Sequence, residues 1–157
     1  IYPMRSKFTN YASYSRAGIT DVVPPEQLAT AFKLEADGFE TVYLENTGGQ
    51  FVRHALPIEA QFAPISALLP IDANQDGHLD FVAVGNQSYI RIRLGVIDAN
   101  NGQLFQGDGK GNFQYVPPTR SGFSLLGDAK SALALPSQPV QLLFGINNVG
   151  VKGYVGK

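Results

Sequence analysis

The 157-residue chain contains no cysteine, no tryptophan and only one methionine. The absence of cysteine excludes disulfide bonds and thiolate metal sites. Its 12 basic and 13 acidic residues leave a formal net charge of −1, which gives no reason to expect nucleic acid or an anionic membrane as a partner. No apolar run approaches the roughly 18 residues of a membrane-spanning helix, and no signal peptide is visible. We therefore predict no nucleic-acid partner and no membrane span.

Glycine and proline are abundant, with 17 and 10 copies, and 44% of the residues are hydrophobic. This composition indicates a folded chain with many turns, hence short strands rather than long helices. The length suits one domain with a real core, or a piece of something larger. Because the chain begins with Ile1 rather than methionine, we expect that it is cut from a longer precursor or processed.

Residues 1–39 are predicted to form a helical insertion or cap. The segment Lys7–Arg16 carries aromatic residues at three-residue spacing, with Thr9 placed as an N-cap, a pattern typical of a short amphipathic helix. A second helix is predicted to begin near Pro25, since proline suits the first helical turn, and to end at Gly38. We expect these helices to lie on a β body.

Residues 40–157 are predicted to be mainly β and to repeat. A hairpin over residues 40–56 is followed by a strand pair over residues 64–84, and the same layout returns at residues 103–116 and 128–147. Phe113 follows Phe51 by 62 residues and Asn147 follows Asn86 by 61. Two agreeing offsets indicate an internal repeat, and antiparallel repeats of four strands are typical of β-propeller blades.

The stretch from Ile71 to Asp80 carries oxygen-bearing side chains at relative positions 1, 3, 5 and 9. These residues are Asp72, Asn74, Asp76 and Asp80. Gly77 supplies a sharp turn, and His78 would offer its backbone carbonyl oxygen. Alternate spacing lets a short loop turn its side chains toward one point, and Ca²⁺ takes about 6–8 oxygen ligands. The sequence therefore predicts a Ca²⁺ site formed by these five residues.

The loop differs from an EF-hand, because position 12 is Ala83 rather than glutamate and the flanking segments have the composition of strands. The alternative to an ion site is a hairpin turn in which Asp and Asn side chains bond the local backbone. The equivalent loop of the second copy, residues 136–139, has no carboxylate. We therefore expect only one ion site of this kind.

The run Asp72–Asp80, the apolar strand Phe81–Val84 and the later turn Gly107–Phe113 resemble the FG-GAP/VCBS repeat. That repeat is the blade unit of integrin-α-type β-propellers and of many secreted bacterial propellers, including those related to the ASPIC/UnbV group. The resemblance covers most of residues 40–148. It implies antiparallel four-stranded blades, with Ca²⁺ held between the first two strands of a blade by the residues at the matching loop positions. About two blades are present where a closed ring needs at least roughly four, so we expect the C-terminal part of a longer propeller.

The resemblance implies a Ca²⁺-stabilised, non-enzymatic module of a secreted or cell-surface bacterial protein, for recognition or adhesion. The alternatives are part of a polysaccharide lyase or hydrolase, or a purely structural scaffold. Candidate chemistry for an enzyme is limited to two histidines, His54 and His78, without a visible partner, and to Asp98 with Arg91 and Arg93 in a long insertion. We predict no catalytic residue. The open strand edges of a partial propeller would invite pairing with another chain.

Overall fold

A computed structural model of the chain describes residues 2–90, 95–137 and 139–156. The chain divides into two compact units, Ile1–Phe39 and Glu40–Lys157. No helix among the described residues is long and apolar enough to cross a membrane.

Short helices make up the first unit. In the described part of the unit they are α1 (Tyr2–Lys7), α2 (Tyr11–Tyr14), α3 (Ile19–Val22) and α4 (Pro25–Thr30). The short helix predicted within residues 7–16 forms only over Tyr11–Tyr14, after α1 has ended at Lys7. Asn10 rather than Thr9 caps α2, because its side chain accepts a hydrogen bond from the Ser13 N–H at 2.8 Å.

The second predicted helix begins at Pro25 as expected but ends at Thr30 rather than Gly38. Residues 32–39 have no regular secondary structure. Apolar and charged residues alternate from Phe32 to Glu35, and that period of two suits a strand rather than a helix. The Phe32 side chain is 89% exposed. Burial of this side chain therefore does not stabilise a helix over residues whose pattern suits a strand.

Antiparallel strands in three sheets make up the second unit, which confirms the mainly β prediction. The first sheet pairs β1 (Val42–Asn46) with β2 (Phe51–Ala55). The second contains β3 (Ile65–Ile71), β4 (Asp80–Gly85), β5 (Gln103–Gly107) and β6 (Phe113–Val116) in that order. The third contains β7 (Ala129–Leu135), β8 (Gln141–Ile146) and β9 (Gly150–Val155).

Each of the two hairpins predicted at residues 40–56 and 103–116 forms, and each is followed by a proline and one helical turn. These turns are the 3-10 helix Ile58–Gln61 and the helix α5 (Pro118–Ser121). Neither turn was predicted, and nor was β9. Four residues are too few to show helical periodicity in a sequence.

The strand pairs β3–β4 and β7–β8 begin and end in the same way. Each first strand has a register shift near its start, between Ile65 and Ala67 in one sheet and between Ala129 and Ser131 in the other. After each second strand an asparagine N–H donates to a backbone carbonyl just before the first strand. These bonds are Asn86 N to Pro64 O and Asn147 N to Asp128 O, both 3.0 Å.

The core has two layers because successive residues of a strand point to opposite faces of the sheet. On one face of the second sheet Phe81 and Phe105 pack with Tyr43 of the first hairpin. On the other face Val82 and its neighbours pack against Phe144 of the third sheet. All six residues of β4 are buried, so the second sheet is covered on both faces.

Candidate metal site in the loop between β3 and β4

The loop of residues 72–79 joins β3 to β4, as the strand, acidic loop, strand prediction requires. Two of its residues have left-handed backbone angles, Gln75 with φ of 59° and Gly77 with φ of 83°. Glycine adopts this conformation without the steric cost that a Cβ brings. The turn that the sequence assigned to Gly77 is therefore confirmed.

Two of the predicted ligands, Asp72 and Asn74, accept from the backbone amide of a third, Asp76. The Asp76 N–H is 3.1 Å from Asp72 Oδ1 and 3.2 Å from Asn74 Oδ1. The other Asp72 oxygen accepts from the Gly77 N–H at 3.0 Å. The Asp76 carboxylate accepts from the His78 N–H at 2.8 Å and from the Asn74 side-chain amide at 2.7 Å. The side chains of Asp72, Asn74 and Asp76 thus form one exposed oxygen cluster, the acidic-loop cluster.

The charge of Asp76 is stabilised inside this cluster. The backbone hydrogen bond from His78, followed by the side-chain bond from Asn74, lowers the pKa of the Asp76 carboxyl below its usual value. The carboxylate form, which a cation would need as a ligand, is therefore favoured at neutral pH.

Asp80 has a different environment from the other predicted ligands. Its side chain is fully buried, and its Oδ1 and Oδ2 atoms accept from the N–H groups of Gly107 and Ala73, each at 2.9 Å. These two bonds tie the acidic loop to the end of β5. A Cβ on Gly107 would overlap the carbonyl oxygen of Leu79, so the close approach of the two segments depends on glycine there.

His78 connects the same two segments through its side chain. A Cβ on Gly109, in the turn between β5 and β6, would overlap the imidazole ring of His78. The turn has a carboxylate network of its own, in which Asp108 accepts from the backbone N–H groups of Lys110 and Asn112 and from the Asn112 side chain. The side-chain bond from Asn112, followed by the backbone bond from Lys110, lowers the pKa of Asp108.

The acidic-loop cluster has the chemistry of a hard-cation site, since carboxylate and amide oxygens suit Ca²⁺. Each carboxylate oxygen that accepts one N–H keeps a further lone pair for an ion. Within the described ranges no three His, Cys, Asp or Glu side chains are grouped to hold a metal ion. The cluster contains two such carboxylates plus the oxygen of Asn74. The ligand roles of Asp80 and of the His78 carbonyl stay predictions.

Of the remaining candidates, His54 and Asp98 lie among the described residues. His54 Nε2 lies 3.0 Å from Glu45 Oε2, and its ring stacks on Tyr43 with the ring centres 5.9 Å apart. His54 is exposed on β2, as the sequence led us to expect, and Glu45 is a polar neighbour that the sequence did not indicate. Asp98 is exposed, and Arg91 and Arg93 lie outside the described residues.

Sequence reasoning missed an ion pair at the start of β7, between a buried carboxylate and an exposed lysine. Asp128 is 5% exposed, and its Oδ1 atom lies 2.6 Å from Lys130 Nζ. This approach is not aligned as a hydrogen bond, so we treat it as an ion pair. Burial raises the pKa of Asp128, but Lys130 and the Ser88 N–H outweigh burial and bring the pKa below its usual value. Lys130 also donates to the Asn86 carbonyl oxygen at 2.7 Å.

Comparisons of the chain with protein-family models, with curated proteins and with solved structures found no match. The resemblance to the FG-GAP/VCBS repeat therefore stays a prediction that depends on the residues of the acidic loop and of the β5–β6 turn.

Proposed function

We propose that residues 40–157 form consecutive blades of a β-propeller that binds Ca²⁺ at the acidic-loop cluster. In this proposal the chain is a non-enzymatic recognition or adhesion module of a secreted or cell-surface bacterial protein. The ion has a structural role: it neutralises the clustered carboxylates and fixes the loop between the first two strands of a blade.

The observation that carries the proposal is the matching construction of the second and third sheets. Both have a register shift at the start of their first strand and the same asparagine bond after their second strand. A β-bulge is a specific local feature, so its presence in the same place in both sheets supports a repeat of one structural unit.

The arrangement of the sheets also supports the proposal. The second sheet is a four-stranded antiparallel meander in chain order, which is the form of a propeller blade. Its two faces contact the first hairpin and the third sheet. In the proposed propeller the first hairpin is the outer half of a preceding blade, and the third sheet is the beginning of the next.

The hydrogen bonds of the acidic loop support the ion. They hold the oxygens of Asp72, Asn74 and Asp76 on one exposed side of the loop before any cation arrives. Pre-ordering reduces the entropy that binding must offset. The three side chains would hold the ion, which supplies positive charge to the loop.

Calcium-dependent thermal unfolding tests the proposal. A site at a hundredfold excess of Ca²⁺ over its Kd stabilises the fold by about 2.7 kcal/mol, a melting-temperature rise of roughly 5–15 °C for a domain of this size. We expect this difference between CaCl₂ and EDTA, and we expect Asp76→Ala to abolish it. The control Asp108→Ala removes a matched carboxylate from the neighbouring turn and should keep the response. Equal melting temperatures in both buffers for the unsubstituted chain would contradict the proposal.

Pairing through an open strand edge is a second part of the proposal. β9 lies at the edge of the third sheet, and its side chains Val151 and Val155 are exposed. An exposed apolar edge strand favours pairing with another strand. Sedimentation over a range of concentrations should show self-association, and a Val151→Lys variant should weaken it. A chain that stays monomeric at every concentration would refute this part.

A further inference from the structure

We propose that the groove between the second and third sheets binds a small organic carboxylate with an apolar body. The groove has a volume of about 1010 Å³, at the upper end of the range of about 300–1,000 Å³ that is common for small-molecule sites. It opens beside the acidic loop and the helix α5.

The floor of the groove is apolar. It consists of side chains from both sheets, namely Val82, Leu104, Val116 and Leu142, with Phe123. Such a floor favours a hydrocarbon chain or ring, because apolar surface removed from water contributes roughly 25 cal/mol per Å².

The rim of the groove carries an unused cation. Arg120 of α5 lines the groove and is exposed, and no hydrogen bond or ion pair within the described ranges engages its guanidinium group. The planar guanidinium presents five N–H donors and matches a carboxylate through two parallel bonds. Thr119 and Gln106 line the same groove and add uncharged polar groups.

The acidic residue of the rim does not cancel this charge by direct contact. Asp72 also lines the groove, but its two oxygens accept N–H groups of its own loop. The free positive group beside an apolar floor therefore selects a ligand with one anionic end and one apolar end. A carboxylate fits the guanidinium fork, and the floor takes the remainder of the molecule.

Calorimetric titration of the full chain with sodium octanoate tests this site. The titration is carried out in EDTA, so that no Ca²⁺ is bound during the measurement. Absent octanoate binding would then not bear on the proposed Ca²⁺ site, and absent Ca²⁺ binding would not bear on the octanoate site. We expect saturable binding of octanoate that Arg120→Gln weakens about tenfold or more, as expected for loss of a charge-assisted hydrogen bond. Arg53→Gln, which removes a matched arginine from the first hairpin and outside the groove, should bind octanoate as the unsubstituted chain does.

Two further ligands test separately whether binding needs the anionic group and whether it needs the apolar body. Acetate supplies the charge without the apolar body, and 1-octanol supplies the body without the charge, so each should bind at least tenfold more weakly than octanoate. Amide chemical shifts of Ser121, Gly122 and Phe123 should move on addition of octanoate. Absent binding of octanoate, equal binding of acetate or octanol, or equal loss in Arg120→Gln and Arg53→Gln would overturn the proposal.

Discussion

Replacing Asp80 by asparagine tests whether this buried carboxylate stabilises the fold without any ion. The asparagine side chain has the same shape, but it has an NH₂ group in place of one carboxylate oxygen. One of the two backbone N–H groups that now donate to the carboxylate would therefore face another donor. These donors belong to Ala73 and Gly107, each 2.9 Å from a carboxylate oxygen. Since Asp80 is fully buried, water cannot replace the lost acceptor.

The expected cost follows from these two bonds. A buried N–H without an acceptor costs about 1–3 kcal/mol, and the remaining bond loses about 1 kcal/mol when its acceptor becomes neutral. We therefore expect Asp80→Asn to lower the free energy of unfolding by about 2–4 kcal/mol. Urea unfolding followed by the circular dichroism of the β unit measures this difference.

The ion is kept out of the measurement by EDTA. Asp108→Asn is the matched control, because this exposed carboxylate also accepts backbone N–H groups in a neighbouring turn; we expect a clearly smaller loss. If Asp80 acted only as a metal ligand, its replacement would destabilise the chain in CaCl₂ and not in EDTA. A loss under about 0.5 kcal/mol in EDTA, within the range of an ordinary surface substitution, would refute the reasoning.

Three further expectations concern the core and the ion pair of the β unit. Phe105→Ala should lower the free energy of unfolding by about 3–5 kcal/mol in a urea titration. The reason is that Phe105 is fully buried and stacks on Phe81, with ring centres 4.8 Å apart. A loss under about 1 kcal/mol would mean that Phe105 does not lie in a packed core. Gly85→Ala should lower the free energy of unfolding by about 1–3 kcal/mol, since the added Cβ would overlap the carbonyl oxygen of Pro64. An unchanged melting temperature would contradict this expectation. The lowered pKa of Asp128 contributes stability that is fully present above the usual carboxyl pKa of 3.8 and is lost as the pH falls through the lower folded value. Lys130→Gln should reduce this acid-dependent loss. An equal fall in the free energy of unfolding of both chains, from neutral pH to below the folded pKa, would refute the expectation.

The sequence by itself determined the strand layout of residues 40–147, because the signals there are local. Alternating and β-branched segments end at Gly, Asn and Pro turns, and the observed hairpins lie within a few residues of the predicted bounds. The left-handed turn at Gly77 could also be predicted, since glycine adopts that backbone geometry without the steric cost of a Cβ. Patterns of three or four residues were too short to predict the helix α5 or the 3-10 turn.

Only the tertiary structure decided what Asp80 does. Oxygens at relative positions 1, 3, 5 and 9 were predicted as one ligand set. Asp80, however, is buried and accepts the N–H group of Gly107, which is 27 residues away in the chain. The burial of Asp128, its contact with the Ser88 N–H group and the groove beside Arg120 likewise depend on contacts between distant segments. Spacing along a strand or loop sets which side chains share a face, whereas their partners are set by contacts between distant segments, and no local pattern contains those contacts.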